Sequence, residues 1–269
     1  MIKASVILAF YNRVDYLKLV LAGFERQSFH NFEIIIADDG SSSQTINEIE
    51  KLSQFSSFPI THIWHEDKGF RKNRILNRAI LCANSDYLVF VDADCVPHSE
   101  FVAEHFNNRS SGNCLTGRRV NLSERITRYL TPQRIAGGFP ENFLVMLIED
   151  GILGKSFDVE KGFYFRNKIL RNFFNKKKRG LLGCNFSIFK EDFLKINGFD
   201  ERYEAPSIGE DTDVEFRLKL YGIVIKSLNN IAVQYHLYHK LQNRPLKNLI
   251  LFEEVKRSGE YFTPFGIVR

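Results

Sequence analysis

The sequence predicts an α/β protein with a mostly parallel central sheet and flanking helices, a single domain carrying an irregular insertion. Two observations carry this expectation. Short continuous apolar runs, as in strands covered on both faces, recur through the first half of the chain, and most are followed by apolar residues at helical spacing. Strand and helix therefore alternate, which implies right-handed crossovers between parallel strands.

Ala4–Phe10 is the first apolar run, and Leu17, Val20, Leu21 and Phe24 mark the helix after it, with Asn12 or Asp15 placed to cap. Residues 32–37 form the second strand, followed by the turn Asp38-Asp39-Gly40-Ser41 and a short helix carrying Ile46, Ile49 and Leu52. Ile60–Trp64 is the third strand. Ile75, Leu76, Ala79, Ile80 and Ala83 share the next helix face, and residues 87–91 form the fourth strand. Residues 1–120 thus read as a nucleotide-binding half. Residues 121–182 mix apolar, basic and glycine residues without a clear period, as an insertion or flexible region would. Order returns at Asn185–Phe189 and continues through a helix near 190–196, the turn Asn197-Gly198-Phe199-Asp200 and a helix from about Asp211. Residues 183–269 therefore read as a second ordered half with a C-terminal tail.

The totals set bounds. A length of 269 residues fits one large α/β domain or two small ones, and an apolar fraction of 44% can fill a sizeable core. The 25 Phe are scattered, and no stretch approaches the roughly 20 apolar residues of a spanning helix. The run ending at Phe10 is too short for a signal-peptide core with its cleavage site. Cys82, Cys95, Cys114 and Cys184 show neither metal-ligand spacing nor a disulfide framework, which favours a reducing cytosol. A net charge of +5 is compatible with anionic substrates or a membrane surface.

Five groups of residues can carry chemistry. Asp92-Ala93-Asp94 follows a buried strand, where ligands of open α/β sheets bind, and its two carboxylates can hold a divalent ion that neutralises a diphosphate. Asp38-Asp39-Gly40-Ser41 also ends a strand; it is either an ordinary turn or a hydrogen-bond acceptor for a nucleobase or ribose. The stretch from His65 to Arg74 sets five Lys, Arg or His residues beside one glycine at a helix start, able to meet phosphate or to form a solvated loop. In Gly209-Glu210-Asp211-Thr212-Asp213 the helix dipole favours negative charge, as a general base requires, and three acids exceed what capping needs. His236 and His239 can join one carboxylate on a metal. Finally, residues 161–179 hold eight Lys or Arg and no acid, interleaved with aromatics. They could lie on an anionic membrane or pack their apolar side on the domain. No nucleic-acid-binding module is legible.

Taken in order, these motifs resemble the inverting family 2 glycosyltransferases with the GT-A fold. The resemblance rests on Ser5-Val6-Ile7, Phe10-Tyr11-Asn12-Arg13, the turn at Asp38, Asp92-Ala93-Asp94, and Asn77 at the spacing of that family's Arg-Asn helix. Leu76 stands where the Arg is usual, so Arg71 or Arg74 is expected to take over the phosphate role. The later half is similar to galactosyltransferase and polypeptide N-acetylgalactosaminyltransferase relatives in Phe70 to Asn77, Gly209 to Asp213 and Tyr235-His236-Leu237-Tyr238-His239. The resemblance implies transfer of a hexose or N-acetylhexosamine from a UDP-sugar to an acceptor hydroxyl with inversion. Phe10, Asn12, Asp39, Asp67, Gly69, Phe70, Arg71, Asp92 and Ala93 would bind the donor; Asp94, His236 and His239 would hold Mn²⁺ or Mg²⁺; Asp211 would be the base and Glu210 would hold the acceptor. It further implies a cytoplasmic enzyme at the inner face of a bacterial membrane, acting on a glycan or lipid-linked glycan in surface polysaccharide or lipopolysaccharide synthesis. A sugar-phosphate nucleotidyltransferase is the nearest alternative, but it would show a Gly-rich loop after the first strand. A non-enzymatic carbohydrate- or membrane-binding module has no need of two facing acidic clusters. A dehydrogenase would carry Gly-x-Gly-x-x-Gly there.

Overall fold

The computed structural model describes residues 1–176, 179–206, 210–240 and 246–268. Gly209 of the second acidic motif, and Lys177 and Lys178 of the basic stretch, lie outside the described residues. The first half runs β1 (Ala4–Phe10), α1 (Val14–Phe24), β2 (Phe32–Asp38), α2 (Ser43–Gln54), β3 (Ile60–Trp64), α3 (Lys72–Cys82) and β4 (Tyr87–Asp92). Then come β5 (Cys95–Pro97), α4 (Phe101–Asn107), β6 (Asn113–Thr116) and β7 (Arg118–Asn121). Residues 121–182 contain α5 (Glu124–Tyr129), α6 (Pro132–Ala136), α7 (Leu144–Ile152) and α8 (Lys168–Phe174). The chain continues through β8 (Asn185–Phe189), α9 (Lys190–Lys195), α10 (Glu210–Tyr221), β9 (Val224–Ser227), β10 (Val233–His236) and α11 (Lys247–Ser258).

Seven strands form one sheet in the order β3-β2-β1-β4-β8-β6-β9. β3, β2, β1 and β4 are parallel, β8 runs antiparallel to both its neighbours, and β6 pairs parallel with β9. β1 and β2 are apolar apart from Ser5, Glu33 and the terminal Asp38 because both faces are covered. Val6 and Leu8 enter one core cluster with α1, while Ile7 enters the other with α3. The chain leaves β1 toward β2 and β3, then returns to place β4 on the other side of β1. The carboxyl ends of β1 and β4 therefore part at a topological switch point, where a crevice opens. A second sheet, β5-β10-β7, sits beside that crevice.

Side chains delimit the short helices. Ser123, Thr131 and Asn167 accept hydrogen bonds from the first turns of α5, α6 and α8. The first helix differs from expectation: Arg13 is its N-cap, with no side-chain cap. Asn12 instead takes a left-handed conformation (φ 54°), and its Oδ1 accepts from Ser42 N at 3.0 Å, tying the β1 loop to the start of α2. Asp15 pairs with Arg13. Among the described residues, no helix is long and apolar enough to cross a membrane.

Candidate active site

Asp92 ends β4, and Asp94 follows two residues later, immediately before β5. Ala93 N donates to Ala9 O at 2.9 Å, fixing this turn against the end of β1. β10 pairs antiparallel with β5, Cys95 opposite His236, and Leu237 N donates to Asp94 O at 2.8 Å. That register carries two histidines to the carboxylate. His236 Nε2 and His239 Nε2 lie 3.4 and 3.3 Å from Asp94 Oδ2. One ligand atom from each of the three residues falls within 4.8 Å of the others. A carboxylate with two imidazoles suits a divalent first-row metal, so the donor set fits Mn²⁺. Burial opposes ionisation of Asp94, but hydrogen bonds from both histidines outweigh it and hold its carboxyl well below the usual range. The same carboxylate raises His239.

The second acidic cluster opens α10. Asp211 Oδ2 accepts from Gly183 N at 3.1 Å, which orients the carboxylate against the segment entering β8. Glu210 is joined to the first cluster by a residue that sequence reasoning did not single out. Lys72 Nζ lies 2.9 Å from Asp92 Oδ1 and 3.0 Å from Glu210 Oε1. Burial drives the Lys72 ammonium down, yet the two carboxylates prevail and hold it well above its usual value. Burial pushes Glu210 up, and its Oε2 is buried without a hydrogen-bond partner. The sequence predicts Arg71 or Arg74 in the phosphate role. Arg71 donates to the Glu66 carbonyl, and Arg74 is exposed. Position 72 precedes Leu76 by four residues, on the same face of α3, so Lys72 sets a cation one turn earlier on that face. That i−4 spacing was the available signal.

Asp213 is not part of this cleft. It is 1% exposed in its side chain and pairs with Arg217 at 2.6 Å, one turn on.

The turn after β2 divides its two aspartates. Asp38 is fully buried, accepts from Ser41 N at 2.9 Å and Ser41 Oγ at 2.6 Å, and meets His62 Nε2 at 2.9 Å. It builds the turn. Asp39 reaches the cavity, holding His65 Nε2 at 2.8 Å and Arg71 N at 2.9 Å, and burial raises its carboxyl above the usual range. Gly40 (φ +102°) permits the arrangement, since a Cβ there would lie 2.6 Å from Asp67 Cα. Asp67 in turn accepts from Tyr11 Oη and Gly69 N, both at 3.0 Å.

These residues surround a cavity of about 890 Å³, ample for a nucleotide-sized ligand. Phe10, Asn12, Asp39, Asp67, Gly69, Phe70, Asp92, Ala93, Asp94 and His239 line it; Arg71 and His236 do not. Glu210 and Asp211 line an adjoining cavity of about 10 Å³, which shares Ala9, Lys72 and Asp92 with the large one. Glu124, Thr127 and Arg128 of α5 line the large cavity too, with Tyr238 and Lys240; of these the sequence had marked only Tyr238, within the motif Tyr235 to His239.

A mostly parallel sheet with an acidic pair at the end of β4 and a second acidic cluster across the crevice defines the GT-A class of fold. The family model for glycosyl transferase family 2 matches residues 5–195, and the chain belongs to that family. A second model, the N-terminal domain of galactosyltransferase, matches residues 167–240. The chain is 28% identical to the uncharacterized glycosyltransferase YfnE of Bacillus subtilis (strain 168), covering 88% of this chain and 65% of that protein. It is 24% identical to the chondroitin synthase of Escherichia coli, covering 86% of this chain and 34% of the relative. Among solved structures it resembles S. aureus TarS 1-349 in complex with UDP (TM-score 0.60, 17% identity, 96% of this chain and 65% of that one). It therefore spans about two-thirds of YfnE and a third of the synthase.

Proposed function

We propose that this protein transfers a hexose or N-acetylhexosamine from a UDP-sugar to an acceptor hydroxyl, with inversion, in the synthesis of bacterial surface polysaccharide or lipopolysaccharide. The observation that carries the reading is the continuity of the site. Asp94 with His239, and Asp211 with Glu210, line adjoining cavities bridged by Lys72, and His236 reaches Asp94 from behind that lining. The donor assignment draws support from TarS, solved with UDP and with UDP-GlcNAc.

The nucleotide lies in the large cavity, its base by Asp39 and its diphosphate toward Asp92 and Asp94. Asp94, His236 and His239 would hold Mn²⁺ or Mg²⁺, which when bound offsets charge on the departing diphosphate. Lys72 presents a second positive charge to the same oxygens. Asp211 takes the proton of the acceptor hydroxyl as that oxygen attacks the anomeric carbon from the face opposite the diphosphate. A single displacement inverts the configuration. Glu210 holds the acceptor. The acceptor is a glycan or lipid-linked glycan, met in the cytoplasm at the inner face of the membrane.

The test is Asp211→Asn. UDP binding should stay within about twofold of the parent while turnover on a UDP-sugar panel falls about 10²–10⁴-fold, the range of general-base catalysis. Turnover that survives places the base elsewhere.

A further inference from the structure

Residues 121–182 hold twelve Lys or Arg against six Asp or Glu, so the whole +5 excess of the chain resides in this one region. Four of its acids are already in ion pairs: Glu124 with Arg128, Glu141 with Arg26, Asp150 with Arg125 and Asp158 with Lys161. Among the described residues, Lys155, Arg166, Lys168 and Lys176 have no carboxylate at ion-pair distance. Glu149 of α7, which is exposed, and Glu160 also lack an ion pair, so the free charge is cationic on balance.

The same region exposes apolar side chains on two helices. On α7, Val145, Ile148 and Ile152 fall at i, i+3 and i+7 on one face, with exposures of 70, 37 and 80%, while Leu147 on the opposite face is fully buried. On α8, Ile169 and Phe173 are 78 and 63% exposed. The aromatic stretch 161–179 therefore divides. Tyr164 Oη and the Arg171 guanidinium both donate to Glu104 of α4, and Phe165 N donates to Asn230 O at 2.9 Å, so these residues face the domain. Ile169 and Phe173 face out.

We propose that α7 and α8 dock this protein onto an anionic lipid bilayer. The α7 stripe enters the boundary between headgroups and acyl chains, and the unpaired Lys and Arg side chains meet lipid phosphates. Charge selects this occupant. A second copy of the chain in a two-fold contact would set the same cationic region against itself, whereas an anionic surface complements it. The placement also serves the cleft: α7 is tied to α5 through Asp150 and Arg125 at 2.8 Å, and α5 lines the large cavity.

Flotation of the full chain with two kinds of vesicle tests the proposal. Phosphatidylcholine mixed with phosphatidylglycerol should bind it, phosphatidylcholine alone should not, and raised salt should release it. Val145→Ser/Ile152→Ser and, separately, Ile169→Ser/Phe173→Ser should each weaken binding by about tenfold or more, with far-ultraviolet circular dichroism and UDP binding unchanged. The second pair keeps the test open should the first fail to fold. No binding to the anionic vesicles, binding that both apolar variants retain, or a dimer in sedimentation that these substitutions dissolve would each overturn it. None of these readouts requires sugar transfer, so the docking surface and the proposed activity fail separately.

Discussion

At the scale of single residues, Lys72 separates what a sequence tells from what only a fold tells. Asp92, Asp94, His236 and His239 were legible because each lies at a strand end or just beyond it, and chemistry that needs convergent ligands concentrates there. Lys72 was not singled out, its one local signal being the i−4 spacing to Leu76; its role comes from two carboxylates that are 20 and 138 residues away in the chain. Replacing it leaves those carboxylates facing each other. Lys72→Met should cost about 1–3 kcal/mol in urea unfolding, below the full penalty of a broken buried pair because all three groups retain some solvent. In the presence of Mn²⁺ it should also weaken UDP binding about tenfold through loss of a charge-assisted contact. Trp64, the chain's one tryptophan, donates from Nε1 to Ser41 O in the turn beside Asp39, so its fluorescence offers the readout. Unchanged affinity would leave Lys72 a purely structural tie.

At the scale of elements, legibility followed length and burial. β1, β2 and β4 could be read because seven-residue or shorter runs buried on both faces are apolar at nearly every position, whereas β3, at the sheet edge, has no buried residue and does not share this pattern. The helices within 121–182 are five to nine residues long, too short for a 3.6-residue period to declare itself. β6, β7 and β9 have four residues each and were missed for the same reason. The third acid of the second cluster also belongs at this scale, because its task is to dock α10. Arg217 bonds Asp213, Ile196 O at 2.8 Å and Gly198 O at 2.9 Å, all buried, so α10 is fastened to the turn that Asn77 of α3 also grips through Phe199. Arg217→Met strands the Asp213 charge and should cost about 3–5 kcal/mol in urea unfolding, whereas Asp213→Leu/Arg217→Met should recover part of that loss. Equal losses would deny the pair its role.

A second element joint sets a pH dependence. His105 of α4 is fully buried between Ser187 Oγ at 2.7 Å and Asn185 Oδ1 at 3.0 Å of β8, and burial lowers its pKa to about 4. The folded protein therefore keeps this ring neutral in a range where the unfolded chain protonates it near pH 6.5. Its contribution is complete above that value, declines as pH falls from about 6.5 toward 4, and levels off below. At pH 5 the decline from this group is about 2 kcal/mol. His105→Gln lacks the titration, so its unfolding free energy should fall less than the parent's between pH 7 and pH 5; parallel slopes would assign the acid sensitivity to other groups.

At the scale of the whole molecule, the cleft exists only when distant parts are assembled. The large cavity takes walls from β1, the Asp39 turn, the segment around Asp67, the end of β4, α5 and the residues after β10. A ligand that touches all of them binds the folded chain and has no counterpart in the unfolded one, so it must raise the melting temperature by linkage. UDP with Mn²⁺ at about a hundred times its dissociation constant contributes about 2.7 kcal/mol, which for a chain of this size moves the midpoint by roughly 5–10 °C. The dependence on metal decides between two ways of holding the diphosphate. If Asp94, His236 and His239 carry the ion that UDP contacts, UDP alone gives a small shift, Mn²⁺ alone gives another, and the two together exceed their sum. Chelation then returns the midpoint to that of UDP alone, and Asp94→Ala abolishes the excess while leaving the response to UDP by itself. If instead Lys72 holds the phosphates unaided, the shifts with and without Mn²⁺ coincide, and the three converged ligands have a role other than binding the donor's metal.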